Sequence, residues 1–307
     1  MRDGSVFGVH RVLFATDMSD SSVTALSYAA GLAKKYGATL IVVHVLDTSG
    51  AGGLADASGM ELRSLVESTR NELKLSVENW SQQEFPTEVL VRYGNVPDSI
   101  FQIQREYAVD ILVLGSSGRK IGRGPRLGSI AEAILRSMPC SVLTVGPGVQ
   151  HHIFSSKAQR IVFPTDFSEV SLAAFPLTTS FAASLSANLI LLHVFDQNSL
   201  QFGPKHEATC KRKLEELLAA VADPTIVVES AVMQGDVAAS IVSCAQRNRA
   251  DFIVMGVHGG DLNDGTKLHG KIQHVIRSAR CPVLTLMTPA YTIESKASAH
   301  SHTKKEY

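Results

Sequence analysis

The chain repeats itself, and that repeat limits the available folds more than any other feature of its 307 residues. Arg11-Val12-Leu13-Phe14-Ala15-Thr16-Asp17-Met18-Ser19 is echoed by Arg160-Ile161-Val162-Phe163-Pro164-Thr165-Asp166-Phe167-Ser168, 149 residues later, and His44-Val45 returns as His193-Val194 at the same spacing. Further along, Tyr93-Gly94-Asn95-Val96 matches Gln234-Gly235-Asp236-Val237, while Gly115 with Gly256 and Cys140 with Cys281 stand 141 apart. The spacing therefore drops by eight, which places extra loop in the Gly/Ala/Ser-rich run Ser49 to Gly59 of the first half. Two ordered sets of matches imply tandem domains, 9–146 and 159–288, joined by a linker over 147–158 and followed by a polar, disordered tail over 289–307.

Each half alternates strand and helix signals. In the first, Val12–Ala15, the β-branched run Thr39–Leu46, Glu88–Val91, Ile111–Leu114 and Val142–Val145 read as strands. Val23, Leu26, Ala30 and Ala33 recur at helical spacing, Leu62 to Trp80 trace one face of a long helix, and Val96-Pro97-Asp98 and Ile130–Arg136 supply two more helices. Such alternation predicts an α/β fold, here two doubly wound parallel sheets of five strands, each in the order 3-2-1-4-5. The switch point then falls between the first and fourth strands, and ligands bind such sheets in the crevice at the carboxyl ends of the strands there.

Asp17 follows the first of these strands, and the glycine-rich stretch Gly115-Ser116-Ser117-Gly118 follows the fourth. Nine residues after Gly118 come Gly128-Ser129 and a helix-like segment. Glycines there let the backbone turn tightly and approach a ligand, and a helix N-terminus beginning at Ser129 would aim free N–H groups at an anion. Arg119, Lys120, Arg123 and Arg126 lie between the glycines with no acidic residue among them. The stretch has the composition of a phosphate cradle; a solvated basic surface is the competing reading. Asp17 reads either as a ligand contact or as an N-cap of the first helix, a role also open to Ser19. His44 and His193, inside apolar strands, read as core histidines.

The bulk properties exclude several classes. Basic and acidic residues balance at 29 each, so net charge draws the chain to neither nucleic acid nor membrane. The apolar run Ala38 to Leu46 is far short of the roughly 20 residues that cross a bilayer, and Met1–Ser5 lacks the apolar region of a secretory signal. Cys140, Cys210, Cys244 and Cys281 show neither CxxC pairing nor zinc spacing, which predicts buried, reduced thiols in a cytoplasmic protein. His151, His152, His300 and His302 read as exposed linker and tail residues.

The pattern G-x2-G-x9-G-(S/T) formed by Gly115, Gly118, Gly128 and Ser129, with Thr16-Asp17 at the end of the first strand, resembles the ATP-binding variant of the universal stress protein family. The resemblance covers both halves and implies an adenine-nucleotide alpha-hydrolase-like fold and ATP as ligand; Mg²⁺ is expected with it because triphosphates usually arrive with that ion. It implies that Thr16 and Asp17 line the adenosine pocket, that Val45 lies against the adenine, and that Gly115, Gly118, Gly128, Ser129 and Ile130 wrap the ribose and phosphates. Ala15, Leu114, Ser117 and Arg119 adjoin these positions and belong to the expected site. Ala15 stands where members usually have proline, and Ser117 where histidine is frequent.

The second half departs from the pattern. Thirteen residues after Gly256 stands His269, with the glycine displaced to 270 and no Ser or Thr behind it, and Asp261 and Asp264 lie in the loop. Carboxylates near a triphosphate repel it, so this half is expected to have lost ATP binding and to act as pseudo-dimer partner to the first, with a further homodimer left open. No G-x-S-x-G, HExxH or G-x-x-x-x-G-K-[ST] is present. With the family resemblance, this favours a nucleotide-dependent stress-response regulator without assigned catalytic or metal-ligating residues. A slow ATPase or nucleotidyl-transfer enzyme, and a nucleotide-free protein-interaction module, are the alternatives.

Overall fold

The structure, a computed structural model, describes residues 7–48, 59–81, 85–116, 127–149, 159–196, 204–221, 223–258 and 267–288. The expected disordered tail, most of the expected linker and the interiors of both glycine loops lie outside the described residues. In the first half the chain forms β1 (Arg11–Ala15), α1 (Asp20–Tyr36), β2 (Thr39–Asp47), α2 (Gly59–Ser81), β3 (Thr87–Gly94), α3 (Val96–Glu106), β4 (Ile111–Gly115), α4 (Ser129–Ser137) and β5 (Ser141–Val145). The second half repeats the series as β6 (Arg160–Pro164), α5 (Glu169–Leu185), β7 (Asn188–Asp196), α6 (Pro204–Ala219), β8 (Val228–Gly235), α7 (Val237–Arg247), β9 (Phe252–His258), α8 (Lys267–Ser278) and β10 (Val283–Thr288).

The strands run β3-β2-β1-β4-β5-β10-β9-β6-β7-β8, so each half has the order 3-2-1-4-5, but the two form one ten-stranded sheet. This corrects the expectation of two separate sheets. Pairing is parallel within each half, and the halves meet through an antiparallel seam with Leu284 opposite Leu143 and Val283 opposite Thr144. Left alone, β5 and β10 would each present unpaired backbone groups at an edge. Because the two strands occupy equivalent places in the repeat, each can satisfy the other in a two-fold arrangement.

The seam extends into both helical layers. On one face, Phe181 packs edge-on against Phe7 at 5.3 Å and Phe252 at 5.4 Å, and Tyr36 shares a 2.6 Å hydrogen bond with Ser184. Apolar residues of α1, α2 and α5 form one continuous core there, and α3, α4, α7 and α8 share the other. The duplication also holds at the level of the backbone. Left-handed residues occur in repeat-related pairs: Met18 with Phe167, Gly37 with Ser186, Gly94 with Gly235 and Ala108 with Arg249. Helix starts are paired too, since Asn95 caps α3 by accepting the Asp98 N–H at 3.1 Å and Asp236 caps α7 by accepting the Ala239 N–H at 2.8 Å.

α1 leaves β1 toward one face of the sheet and α4 follows β4 on the other. The carboxyl ends of β1 and β4, in register at Ala15 and Leu114, therefore border an open crevice.

Candidate functional site

One wall of the crevice is the turn that joins β1 to α1. Thr16 Oγ1 accepts the Met18 N–H at 2.9 Å, and Asp17 Oδ1 accepts the Ser19 N–H at 3.1 Å. Together these bonds hold Met18 in a left-handed conformation at φ 59, which a residue with a long side chain adopts only where its surroundings enforce it. Ser19 is the N-cap of α1, without a side-chain capping bond, so Asp17 does not have the N-cap role considered from sequence. The Thr16 hydroxyl donates to Ser22 Oγ at 2.9 Å. The Thr16 carbonyl lies 2.8 Å from His44 Nδ1; a carbonyl only accepts, so His44 carries its proton on Nδ1.

The opposite wall begins where β4 ends at Gly115. The Ser116 N–H donates to Val145 O at 2.9 Å and its carbonyl accepts the Gly128 N–H at 2.8 Å, which fixes the start of α4 beside the end of β5. Gly128 is the N-cap, extended at φ −64 and ψ 146, and brings no side chain to the first turn. The leading N–H groups of a helix have no carbonyl partner within it, and here nothing from the capping residue covers them.

Between the walls lies a cleft of about 580 Å³. Ala15, Thr16 and Asp17 line it from β1, Val45 from β2, Leu114 and Gly115 from β4, and Gly128, Ser129 and Ile130 from the α4 N-terminus. Ser117, Gly118 and Arg119, with the other basic residues of that loop, lie outside the described residues. Sequence reasoning missed Ser22, Asp47, Ser116, Val96 and Ile100, which also line the cleft. Asp47 and Ser116 end β2 and follow β4, so the carboxyl-edge rule reaches them; Val96 and Ile100 arrive through the packing of α3, which leaves no local signal. His44 is a further correction. It is half-buried and borders the cleft, because it stands at the carboxyl end of its strand where the layers part.

The second half has the same turn with a different surround. Thr165 Oγ1 accepts the Phe167 N–H at 3.0 Å, and Phe167 is left-handed at φ 61. Burial works to raise the Asp166 pKa, but hydrogen bonds led by those from Ser168 outweigh it and hold the carboxyl below its usual range. His193 Nδ1 lies 2.8 Å from Thr165 O, as in its counterpart, yet its ring stacks on Phe167 at 4.7 Å and meets Phe195 edge-on at 4.8 Å. Met18 and Leu46 hold those two places in the first half. At the end of β9, a Cβ on Gly256 would stand 2.7 Å from Ala174 Cβ and 2.9 Å from Val170 O, so α5 packs directly on that backbone. α8 has 12 residues against 9 in α4, and both end at the repeat-related serines 137 and 278. The extra three residues therefore all lie at the α8 N-terminus, with Gly270 inside the helix instead of capping it. The carboxylates Asp261 and Asp264 lie outside the described residues.

All four cysteines are free and buried, and burial pushes the Cys140 and Cys281 thiols up to about 12. Among the described residues no helix is long and apolar enough to cross a membrane, and no cluster of His, Cys, Asp and Glu could hold a metal ion.

The profile of the universal stress protein family matches residues 8–146 and again 157–286. Universal stress protein Slr1230 of Synechocystis sp. is 25% identical over 301 residues, spanning 89% of this chain and 98% of its own. Universal stress protein MJ0531 of Methanocaldococcus jannaschii is 28% identical over 140 residues, 44% of this chain and 81% of its own. The crystal structure of a universal stress protein from Archaeoglobus fulgidus shares the fold with a TM-score of 0.71 at 19% identity, over 92% of this chain and 98% of that one. Two matches to one family profile, in the two halves of a duplicated sheet, place the chain in the universal stress protein family as a tandem member with the adenine-nucleotide alpha-hydrolase-like fold.

Proposed function

We propose that the first half, residues 9–146, binds ATP with its Mg²⁺ in this cleft, and that the protein is a cytoplasmic stress-response regulator whose state depends on occupancy. The second half, 159–288, is its structural partner. The observation that carries the reading is the α4 N-terminus, without a side-chain cap at Gly128 and, among the described residues, bordering a cleft whose other walls are largely apolar. Phosphate is held at such a terminus by backbone N–H groups and the helix dipole. Ala15, Val45 and Leu114 offer an apolar slot for the base, while Thr16, Asp17 and Ser129 bring polar groups to its rim. The volume lies within the roughly 300–1,000 Å³ of small-molecule sites.

Rigidity in this site comes from the chain itself. The Thr16–Asp17 turn is fixed by its own side-chain bonds, and the α4 start is tied through Ser116 to β5. A ligand spanning the two walls would find both already in place, which lowers the ordering cost of binding. Equilibrium titration of the full chain with Mg-ATP tests this, with native mass spectrometry for stoichiometry. One ATP per chain is expected; no binding at millimolar ATP would overturn the reading, and two per chain would overturn the assignment of the second half.

A further inference from the structure

Ser116 belongs to the cleft and to the seam at once. Its backbone is bonded to Gly128 at the start of α4 and to Val145 at the end of β5, and its side chain is buried at 3% exposure. The next residue of that exit from β5, Gly146, lies against the second half. A Cβ there would stand 3.4 Å from the carbonyl oxygen of Ile276, 3.7 Å from that of Ala279 and 3.9 Å from Ser116 Oγ. Ile276 is in the last turn of α8 and Ala279 directly follows the helix, and both are buried. The start of the helix that borders the cleft is thus separated from the second half by one hydrogen-bonded residue and one glycine.

The seam also has a bond to gain on the cleft side. Thr285 Oγ1 donates across it to Val142 O at 3.1 Å. Its repeat counterpart Thr144, opposite Val283 and beside Leu114, is buried with no partner for its hydroxyl among the described residues. The register is already symmetric, and a buried hydroxyl without a bond is costly, so the cleft side of the seam is the less well satisfied of the two. At its other end, α8 carries the extra turn that distinguishes the second half. A helix of this length is a rigid rod of about 18 Å.

We propose that occupancy of the cleft is transmitted to the second half along Ser116, Val145 and Gly146 onto the C-terminal end of α8. The inference rests on the nucleotide reading above and adds its route of regulation. Calorimetry and amide exchange with mass spectrometry, on the full chain with and without Mg-ATP, separate the two. The expected result is ATP binding together with slowing of exchange over residues 275–285 by about fivefold or more, the low end of ordinary coupling.

Two glycine variants test the route. Gly146→Ala places its methyl against both Ser116 and α8, and neither Gly146 nor Gly148 has a left-handed φ that would resist alanine. Among the described residues, the methyl of Gly148→Ala meets Ala279 O at 3.8 Å and Arg280 Cγ at 3.9 Å. Gly146→Ala is expected to change the α8 response to ATP at least twofold, while Gly148→Ala behaves as the parent. ATP binding with no change in α8, or equal effects of the two variants, would overturn the route. Absence of binding in the parent would instead overturn the nucleotide reading, and the route with it.

Discussion

Gly128→Asp puts stability and ligand binding in opposition at one position. Gly128 has the extended conformation of an N-cap, which aspartate adopts without strain. The same chain shows the outcome at α7, where Asp236 accepts the N–H three residues on at 2.8 Å. At α4 the equivalent donor is Ala131. Replacing glycine by aspartate at an N-cap gains a few tenths of a kcal/mol, and a carboxylate at the helix N-terminus adds about 0.3–1 kcal/mol. The variant should therefore melt slightly higher than the parent, by about 2 °C for a unit of this size.

Nucleotide binding should move the other way. The new carboxylate consumes a donor and places negative charge where the phosphates are proposed to lie. A phosphate oxygen on the neighbouring Ser129 N–H would be about 5 Å away, and at an effective dielectric of about 20 one unit charge costs about 3 kcal/mol there. That corresponds to about two hundredfold in affinity. Gly128→Asn caps without charge, so it isolates the lost donor and should weaken binding by far less. Calorimetric titration with Mg-ATP and thermal melts give both quantities from one preparation. Parental affinity in a Gly128→Asp protein that melts at or above the parental temperature would refute phosphate binding at this helix start.

Other consequences lie in the second half and the cores. The His193 pKa is lowered chiefly by burial, reinforced by nearby His206 and Lys213 and opposed by the Thr165 bond and Asp166. The unfolded chain then takes up this proton first, so stability should be complete above about pH 6.5 and fall with acidification until the folded pKa is reached; urea unfolding across that range should show a flatter profile for His193→Gln. Gly256→Ala forces α5 away from β9 and should cost about 1–3 kcal/mol in urea unfolding, with ATP affinity unchanged. The four buried thiols should resist a thiol-specific dye at pH 8 until the protein unfolds, since Cys140 and Cys281 are held near 12.

The sequence carries the fold of each half because a buried parallel strand is a run of apolar residues, and Ile111–Leu114 or Thr39–Leu46 has few other uses. The start of α3 was legible for the same local reason, with Asn95 and Pro97 in favoured places. The seam was not. Ser141–Val145 looks like any covered strand, and its pairing with β10 is made by backbone groups that all residues share. In the cleft, residues following β1 and β4 could be placed because the chain turns there. His44 reads as a core residue because its neighbours Val42, Val43 and Val45 are apolar, and they are indeed buried; only its height in the sheet exposes it. Ile100 came from a third element, whose approach depends on packing summed over α3 and β3.

The contrast between α4 and α8 reduces to the place of one glycine. Both helices end at equivalent serines and pack in the same core, so the tertiary frame does not set their different lengths. The position that is Gly128 in the first half is His269 in the second. Glycine is about 1 kcal/mol worse than alanine inside a helix but well accepted at an N-cap, so a helix propagating backward from the common end stops at 128. Histidine resists far less, and α8 continues through it to Lys267 even though it must absorb Gly270. An uncapped terminus beside the carboxyl ends of β1 and β4 is therefore a local consequence of glycine at 128. In the second half, where the glycine stands one residue later, the helix instead begins three residues earlier, at Lys267.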